Sequence, residues 1–461
     1  MNNLLEQIRS AGVAGCGGAG FPTHVKLAAQ GVDTLIINAA ECEPLLRTDR
    51  FLMLHKAAEI ISTVAAVKEH LHATRAVIAL KETYLEEIRA LQTAIERANT
   101  SIELHRLKSF YPAGDEQVMV FEVTGRVVPP AGLPLDVQCV VSNAATMLSV
   151  YHAMQSRPFT QKYLTINGAV NEPCVIKAPI GTSFAECLAL AGGAQIEDYT
   201  VISGGPMMGK PCPSEEAANL YVTKTTSGFL VLPSHIKLAQ LANTPLRHMQ
   251  NRARSACIQC SFCTQLCPRY LLGHPIEPHK IMRKFAAGQP LEDQLDSSVL
   301  RSAQYCCECG VCELVACPMQ LNPRSVNRQI KQALSAQSIH PIKGKAGLQP
   351  RPYRAERAIP TGRAAMSAGV GRWYHAEIPR FAEAVPESVH ISLNSHIGAP
   401  AEPIVKVGEK ISFGQCIAQP PEGKLGVLYH ATIGGTIEYI GENFIVIARE
   451  TTIIITKNEG V

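Results

Sequence analysis

Two runs of cysteine carry the chemistry written most plainly in this sequence. The first is Cys257-x2-Cys260-x2-Cys263-x3-Cys267-Pro268; the second is Cys306-x2-Cys309-x2-Cys312-x4-Cys317-Pro318, longer by one residue in its last gap. Three cysteines at two-residue intervals curl a loop around one face of an iron–sulfur cubane, and the fourth, turned away by the proline after it, reaches a second cubane. One [4Fe–4S] cluster is therefore expected on Cys257, Cys260, Cys263 and Cys317, and another on Cys306, Cys309, Cys312 and Cys267. Cys307 falls outside the set because Cys306 keeps the two-residue spacing. Zinc also takes Cys-x2-Cys pairs, but a zinc site needs two pairs, whereas here two quartets each end in Cys-Pro. The spacing reads as one-electron transfer chemistry.

A second candidate lies near the start, where Gly-Cys-Gly-Gly-Ala-Gly spans 15–20. The run formally satisfies G-x-G-x-x-G, but a helical LLEQIRSAG precedes it and Phe21-Pro22-Thr23 follows, whereas a dinucleotide fingerprint needs a strand before it and a helix opening after it. Physically it is a backbone that lets a ligand approach closely, with N–H groups free for phosphate oxygens and Lys26 as counter-charge. A phosphate-bearing cofactor fits. The next segment, LIINAAECEPLLRTDR, ends a strand and then supplies Asn38, Glu41, Glu43, Asp49 and Arg50, where ligands of layered α/β domains bind. His274 and His279, beside the first cysteine run, are expected to be structural, since eight cysteines complete two clusters.

The elements around these residues divide the chain. At 461 residues, 46% of them hydrophobic, it should form about three or four domains. Residues 1–158 alternate helical and strand-like pieces, with strands at 35–39 and 76–80 and one long helix from about Phe51 to Leu71, and read as an α/β layer domain. Residues 159–234 read as a small α+β domain with one helix at 183–193, and 235–340 as helical stretches around the cysteine runs. Residues 341–372, rich in Pro, Gly and Ala, read as a linker. Residues 373–461 alternate strands and Gly-rich turns and should form an all-β barrel or sandwich, closed by the run FIVIARETTIIIT.

Other features restrict the partners. A net charge of +4 with 18% charged residues, both signs interspersed, gives no nucleic-acid footprint. No apolar stretch is long enough to span a bilayer and the start lacks the apolar core of a secretory signal, so a cytoplasmic location is expected. Between Arg324 and Arg372 ten Lys or Arg face one acid, Glu356, which suits either a docking segment or a charged tether. Leu4, Leu5 and Ile8 lie on one helical face, which could address the chain to a partner or pack on its own domain.

GCGGAGFPTHVK (15–26), NAAECEP (38–44), YPAGDEQ (111–117) and RVVPPAGLPLDVQCVVSNAAT (126–146) together resemble the flavin-binding domain shared by the NADH-oxidising subunit of respiratory complex I and the RnfC subunit of bacterial electron-transport complexes. Residues 167–170, 181–182, 191–193 and 204–209 are similar to the soluble-ligand-binding β-grasp module of those proteins, and 396–415 with 430–437 to the barrel-sandwich module that RnfC carries at its N-terminus. With that module C-terminal and a single dicluster domain, the chain resembles the cobalamin-reductase family of propanediol-utilisation microcompartments.

The resemblance implies a multidomain α/β and α+β protein: an α/β layer domain for FMN and NADH, an SLBB-like β-grasp domain, a helical ferredoxin-like dicluster domain and an all-β barrel-sandwich domain. It implies non-covalent FMN on Gly15, Gly17, Gly18, Ala19, Gly20 and Lys26, with Asn38 near the flavin. Tyr111, Gly114, Asp115 and Glu116 would line the same pocket, Asn143 would close it, and Glu41 and Glu43 would lie on the nicotinamide side as the catalytic pair. NADH would be the donor and cobalamin the substrate, with a corrinoid adenosyltransferase and microcompartment shell proteins as partners inside a microcompartment. Since a hydride carries two electrons and a [4Fe–4S] cluster takes one, a flavin is the converter such a chain needs. The rival readings are an electron-input subunit of a membrane complex, which the domain order disfavours, and a microcompartment scaffold.

Overall fold

The computed structural model describes residues 4–378 and 380–449. Helices α1 (Leu4–Ser10) and α2 (Thr23–Lys26) lead into β1 (Thr34–Asn38), α3 (Thr48–His55), α4 (Ala57–His70), β2 (Arg75–Lys81), α5 (Leu85–Arg97), β3 (Glu103–Leu107), the short β4 (Phe110–Tyr111), α6 (Glu116–Thr124), β5 (Cys139–Asn143) and α7 (Ala144–Met154). Four of these strands form a parallel sheet in the order β3-β2-β1-β5. Side chains alternate across a strand, so Leu35 and Ile37 of β1 pack with Ile60, Ile61, Val64 and Met147 from α4 and α7, while Ile36 packs with Met119, Val120 and Val123 of α6. Both faces of the sheet are thus covered, and its strand ends are left to carry a site.

The single helix expected from Phe51 to Leu71 is two, separated by Lys56 at φ −132°, ψ 24°. The break lets α3 serve a second sheet: the Thr48 hydroxyl lies 2.8 Å from that of Thr165 and donates to the Ser227 carbonyl at 3.1 Å, while α4 stays on the first sheet. Helix α6 begins at Asp115, whose carboxylate accepts from the Gln117 and Val118 amides, and ends at Gly125 in the left-handed region.

The second sheet uses β6 (Gln161–Gly168), β7 (Cys174–Pro179), β8 (Tyr199–Ser203), β9 (Lys210–Pro213) and β10 (Gly228–Pro233), with α8 (Phe184–Leu190) between β7 and β8. Ser183 and Glu186 start α8 with a reciprocal capping box. The cysteine runs follow among α9 (Lys237–Ala242), α10 (Leu246–Ala256), α11 (Phe262–Gln265), α12 (Pro268–Leu271), α13 (Pro278–Ala286), α14 (Ser298–Arg301) and α15 (Pro323–Ala336). Met249, Ile281, Phe285, Leu300, Val326 and Ile330 form their common core.

Residues 341–372, read from composition as a linker, lie along the first domain as a strap. Lys343 pairs with Asp136 at 2.6 Å, Arg354 pairs with Glu122 at 2.6 Å and lies over the Phe121 ring, and the Arg351 amide donates to Leu271 of the cluster domain. The strap then forms β11 (Ile359–Pro360), paired with β4, and helices α16 (Thr361–Ser367) and α17 (Gly371–Tyr374). Lys343, Arg351, Arg354 and Arg372 thus meet specific partners, which composition alone does not reveal. Next, β12 (Arg380–Glu383) adds to the second sheet beside β7, giving the order β12-β7-β6-β10-β8-β9.

The remainder is all-β: β13 (Ser388–Ser392), β14 (Glu402–Pro403), β15 (Lys410–Ile411), β16 (Cys416–Gln419), β17 (Tyr429–His430), β18 (Gly435–Ile440) and β19 (Phe444–Ala448), in sheets ordered β13-β19-β18-β15 and β14-β16-β17. The closing run expected through residue 456 lies outside the described residues from 450 onward. Leu4, Leu5 and Ile8 pack on the core of their own domain. No helix among the described residues is long and apolar enough to cross a membrane.

A buried lysine joins three of these units. Lys224 is 1% exposed; its ammonium donates to the carbonyls of Gly12 at 2.5 Å and Leu428 at 2.8 Å and lies over the Tyr429 ring. Burial pushes its pKa down to about 7. The unfolded chain therefore binds more protons at this position between pH 7 and the ordinary lysine value of 10.5, and stability from this group rises with pH across that window. Relative to Lys224→Met, the wild type should accordingly gain stability between pH 7 and 10, measured by urea unfolding of both proteins at a series of pH values; a pH-independent difference would contradict this account.

Candidate functional site

The glycine loop is held from behind and open in front. The Gly15 amide donates to Phe21 O, the Cys16 amide to the Thr146 hydroxyl at 2.9 Å, and the Lys162 ammonium to Cys16 O at 3.2 Å. Gly17, Gly18 and Ala19 are exposed. Gly18 has φ +99° and no atom within 4 Å of where a Cβ would project, so the backbone itself is presented. Gly20, also at positive φ, is pinned from the far end of the chain: its carbonyl accepts from the Ile397 amide, and a Cβ there would strike Thr225 at 2.8 Å.

The carboxyl ends of β1 and β5 face this loop. Asn143 caps α7 through the Ala145 amide and donates to Asp49 at 2.7 Å, and its Cβ is the nearest side-chain atom to Gly17. Asn38 donates to Gly114 O at 2.9 Å, and a side chain on Gly114 would meet Cys42 Sγ at 2.9 Å. Lys26 donates to Glu116 at 3.1 Å and to Val141 O at 2.9 Å. Gly17, Lys26, Asn38, Gly114, Glu116 and Asn143 are thus brought together at one end of the first sheet. The bare backbone beside a lysine and amide side chains fits a phosphate-bearing, planar group such as FMN.

Glu41 and Glu43 are bound to protein donors. Glu41 accepts from the Asp49 and Arg50 amides at 2.9 and 3.2 Å, opening α3, while Glu43 accepts from the Met207 amide at 2.8 Å and from the Tyr111 hydroxyl at 3.4 Å. Burial pushes both carboxyls up to about 7, aided at Glu41 by the negative field of Asp49. Lys81, 3% exposed, lies nearby, its own pKa lowered to about 8 by burial.

The same wall meets the cluster domain. The Tyr111 hydroxyl donates to Cys309 O at 2.8 Å. Asp115, while capping α6, pairs with Arg269 at 2.9 Å; Arg269 directly follows Cys267-Pro268 and also donates to Gln117. Arg324 donates to Met207 O at 2.6 Å and pairs at 3.1 Å with Glu313, which is fully buried. Sequence reasoning missed Arg269, Arg324, Lys162 and Met207. A basic residue next to a Cys-Pro turn was the available signal for Arg269; the other three depend on tertiary placement.

Cys257, Cys260, Cys263 and Cys317 line one pocket together with His279, Met282 and Pro318. The Cys263 thiol is pushed up to about 12 by burial and by the fields of Cys317, Cys260 and Cys257. Cys267 is raised by burial and then by Cys307 and Cys306, and Cys312 by burial, Cys306 and Cys267, so the second quartet also gathers. Soft sulfur donors gathered in quartets suit polynuclear iron–sulfur clusters, which cysteine thiolates hold. Cys306 and Cys307 both lie near Cys267, and Cys307 bonds Arg269 and Cys309. His274 Nε2 lies 2.9 Å from Val128 O, and His279 Nδ1 lies 2.8 Å from the Thr264 hydroxyl, so both rings are engaged by protein groups.

Comparison with known families matches these parts in order: the Nuo51 FMN-binding domain over residues 8–152, the SLBB domain over 163–211, the 4Fe-4S dicluster domain over 256–322 and the RnfC barrel sandwich hybrid domain over 377–460. The chain is a multidomain electron-transfer oxidoreductase that joins a flavin domain to an iron–sulfur domain. It is 42% identical over 450 residues to the cobalamin reductase PduS of Salmonella typhimurium, covering 97% of each chain, and 42% identical over 448 residues to that of Citrobacter freundii, covering 97% of this chain and 96% of the relative. A subunit of the proton-translocating ferredoxin:NAD(+) oxidoreductase complex of Clostridium ljungdahlii is 34% identical over 276 residues, 59% of this chain and 57% of that one. The chain belongs to the cobalamin reductase PduS family.

The raised Glu43 carboxyl sets a pH signature. Its folded pKa of about 7 lies above the ordinary 4.5, so its contribution to stability is complete below pH 4.5 and is lost as pH rises through 7. Glu43→Gln should therefore gain stability relative to wild type between pH 5 and pH 8, read from paired melting curves; a difference that stays constant or reverses would show that Glu43 is not held in this state.

Proposed function

We propose that this chain is an NADH-dependent cobalamin reductase, taking cob(III)alamin to cob(II)alamin and, with an adenosyltransferase, towards cob(I)alamin, for coenzyme recycling in propanediol utilisation. The observation that carries the reading is the match to cobalamin reductases along 97% of the chain, together with the direct hydrogen bond between the flavin-domain wall and a cluster loop. The functional units are taken as 1–158 for FMN and NADH, 159–234 for the β-grasp domain, 235–340 for two [4Fe–4S] clusters, 341–372 as the connecting segment and 373–461 for the barrel-sandwich domain.

In this reading Gly15, Gly17, Gly18, Ala19 and Gly20 offer backbone N–H groups to the FMN phosphate, and Lys26, shared with Glu116, adds positive charge. Asn38, Tyr111, Gly114, Asp115, Glu116 and Asn143 fix the walls of the flavin cleft. Glu41 and Glu43 border the nicotinamide side, where carboxyls that titrate near neutrality can tune the charge facing the donor. FMN, when bound non-covalently, supplies the exchange between a hydride pair and single electrons. Cys257, Cys260, Cys263 and Cys317 are assigned to one cluster and Cys306, Cys309, Cys312 and Cys267 to the other. Tyr111, Asp115 and Arg269 keep the two domains in register. The adenosyltransferase, the shell proteins and a place inside a bacterial microcompartment belong to the same proposal.

The test is anaerobic. Purified protein should release FMN on denaturation and contain iron and acid-labile sulfide without zinc. It should reduce corrinoid with NADH, and Cys263→Ala should slow that reduction at least tenfold; equal rates would take the clusters off the path, and no corrinoid reduction with or without an adenosyltransferase would sink the acceptor.

The ligand register has its own check, in which Cys260→Ala and Cys309→Ala should each remove one cluster's electron paramagnetic resonance signal while Cys307→Ala removes neither. If Cys307→Ala abolishes a signal that Cys306→Ala leaves intact, Cys307 is the ligand.

A further inference from the structure

Against Cys16 of the glycine loop, the first domain, the second sheet and the barrel line a cavity of about 340 Å³. Lys56, His152, Arg157, Lys162 and Lys177 line it, and no carboxylate does. The fields of Arg157, Lys56 and Lys177 all act on the His152 imidazole and depress it, after burial, which is the largest cause, while Glu59 opposes them. Lys56 and Lys177 have ion-pair partners outside the lining, Glu59 at 3.2 Å and Glu383 at 3.5 Å. Arg157 has no ion pair within 4 Å among the described residues, whereas Lys162 faces the buried Asp49 carboxylate. Lys162, 3% exposed, donates to Cys16 O in the wall of this cavity.

Arg157, without a counter-charge in a lining that holds no acid, is stabilised by an anion. The rest of the lining says what the anion is attached to. Ser156 offers a hydroxyl, while Leu148, Pro158 and Phe413 form an apolar wall, with Phe413 of the barrel 57% exposed. The volume lies in the range of small-molecule sites. We propose that this cavity binds a phosphorylated small molecule of nucleotide size, its phosphate on Arg157, Lys56 and Lys177 and its ring against Phe413. The occupant sits against Cys16 and Lys162, which anchor the glycine loop from behind, so its binding stiffens that loop without entering the flavin cleft.

Inorganic phosphate and a nucleotide share the anionic chemistry, and the experiment separates them. ADP, inorganic phosphate and adenosine are each titrated calorimetrically into the full-length holoprotein, with flavin content checked by absorbance. ADP should bind saturably, phosphate more weakly and adenosine not measurably. Arg157→Ala, at an exposed position, should weaken both ADP and phosphate about tenfold, the effect of one charge-assisted contact, while Phe413→Ala should weaken ADP alone. Flavin content should be unchanged in both variants, which keeps this result separate from the flavin assignment. Three outcomes overturn the proposal: no saturable heat with either ADP or phosphate, affinity unchanged in Arg157→Ala, or complete displacement of ADP by NADH, which would place the nucleotide in the flavin cleft instead.

Discussion

The hydrogen bond from the Tyr111 hydroxyl to the Cys309 carbonyl is the contact on which the rest of this molecule depends. Electrons can pass between a flavin domain and a cluster domain only if the two are held at a fixed separation, and loops alone do not hold it. A typical hydrogen bond contributes only about 0.5–1.5 kcal/mol net, and Glu43 stands as the longer alternative acceptor at 3.4 Å, so the contact sets the position of the domains more than it adds to their attraction. Asp115 with Arg269, and Arg324 with Met207 and Glu313, repeat the arrangement around it. Breaking one partner of such a buried pair is costly even where the pair itself contributes little net stability. The junction is therefore specific in geometry without being especially strong.

That logic explains why charged groups are buried where domains meet. The sheet interiors are aliphatic on both faces. The charges sit at seams: Lys224 between the glycine-loop approach and the barrel, Lys162 behind the loop, Arg269 at the Cys-Pro turn. Each is directed to a carbonyl or carboxylate on another unit, and directional groups set relative position where apolar contact would tolerate sliding. The glycine loop gains most from this. Its tip is free for a ligand while Cys16 and Gly20 are fixed by residues more than a hundred positions away.

Much of this was legible from the sequence where one residue type at one spacing has a single physical use. The cysteine runs, the strands at 35–39 and 76–80, the helix at 183–193 and the all-β tail were read from pattern, and the family resemblance ordered the domains. Reading Phe51–Leu71 as one helix failed because Lys56 is as good a helix former as its neighbours; the break is imposed by Thr48 reaching the second sheet. Local propensity carries no trace of such a demand. Glu41 and Glu43 were found as acids at a strand end, but their bonds to Asp49, Arg50 and Met207 required loops from two domains to be brought together.

The strap at 341–372 shows the same limit from the other side. Proline, glycine and positive charge without periodicity describe a flexible tether as well as they describe a bound one, because neither has a repeating core face. What separates them is whether the charges meet partners. Lys343 and Arg354 meet acids of the flavin domain, Arg351 lies over Tyr270 of the cluster domain, and Ile359 adds a strand beside Tyr111. The exposed pair at Lys343 contributes little by itself. Taken with the backbone bonds from Gly344 to Pro130 and from Arg351 to Leu271, it makes the segment a clasp across the flavin and cluster domains. The clasp ends beside the tyrosine that bonds Cys309, so the chain reinforces from outside the contact it makes within.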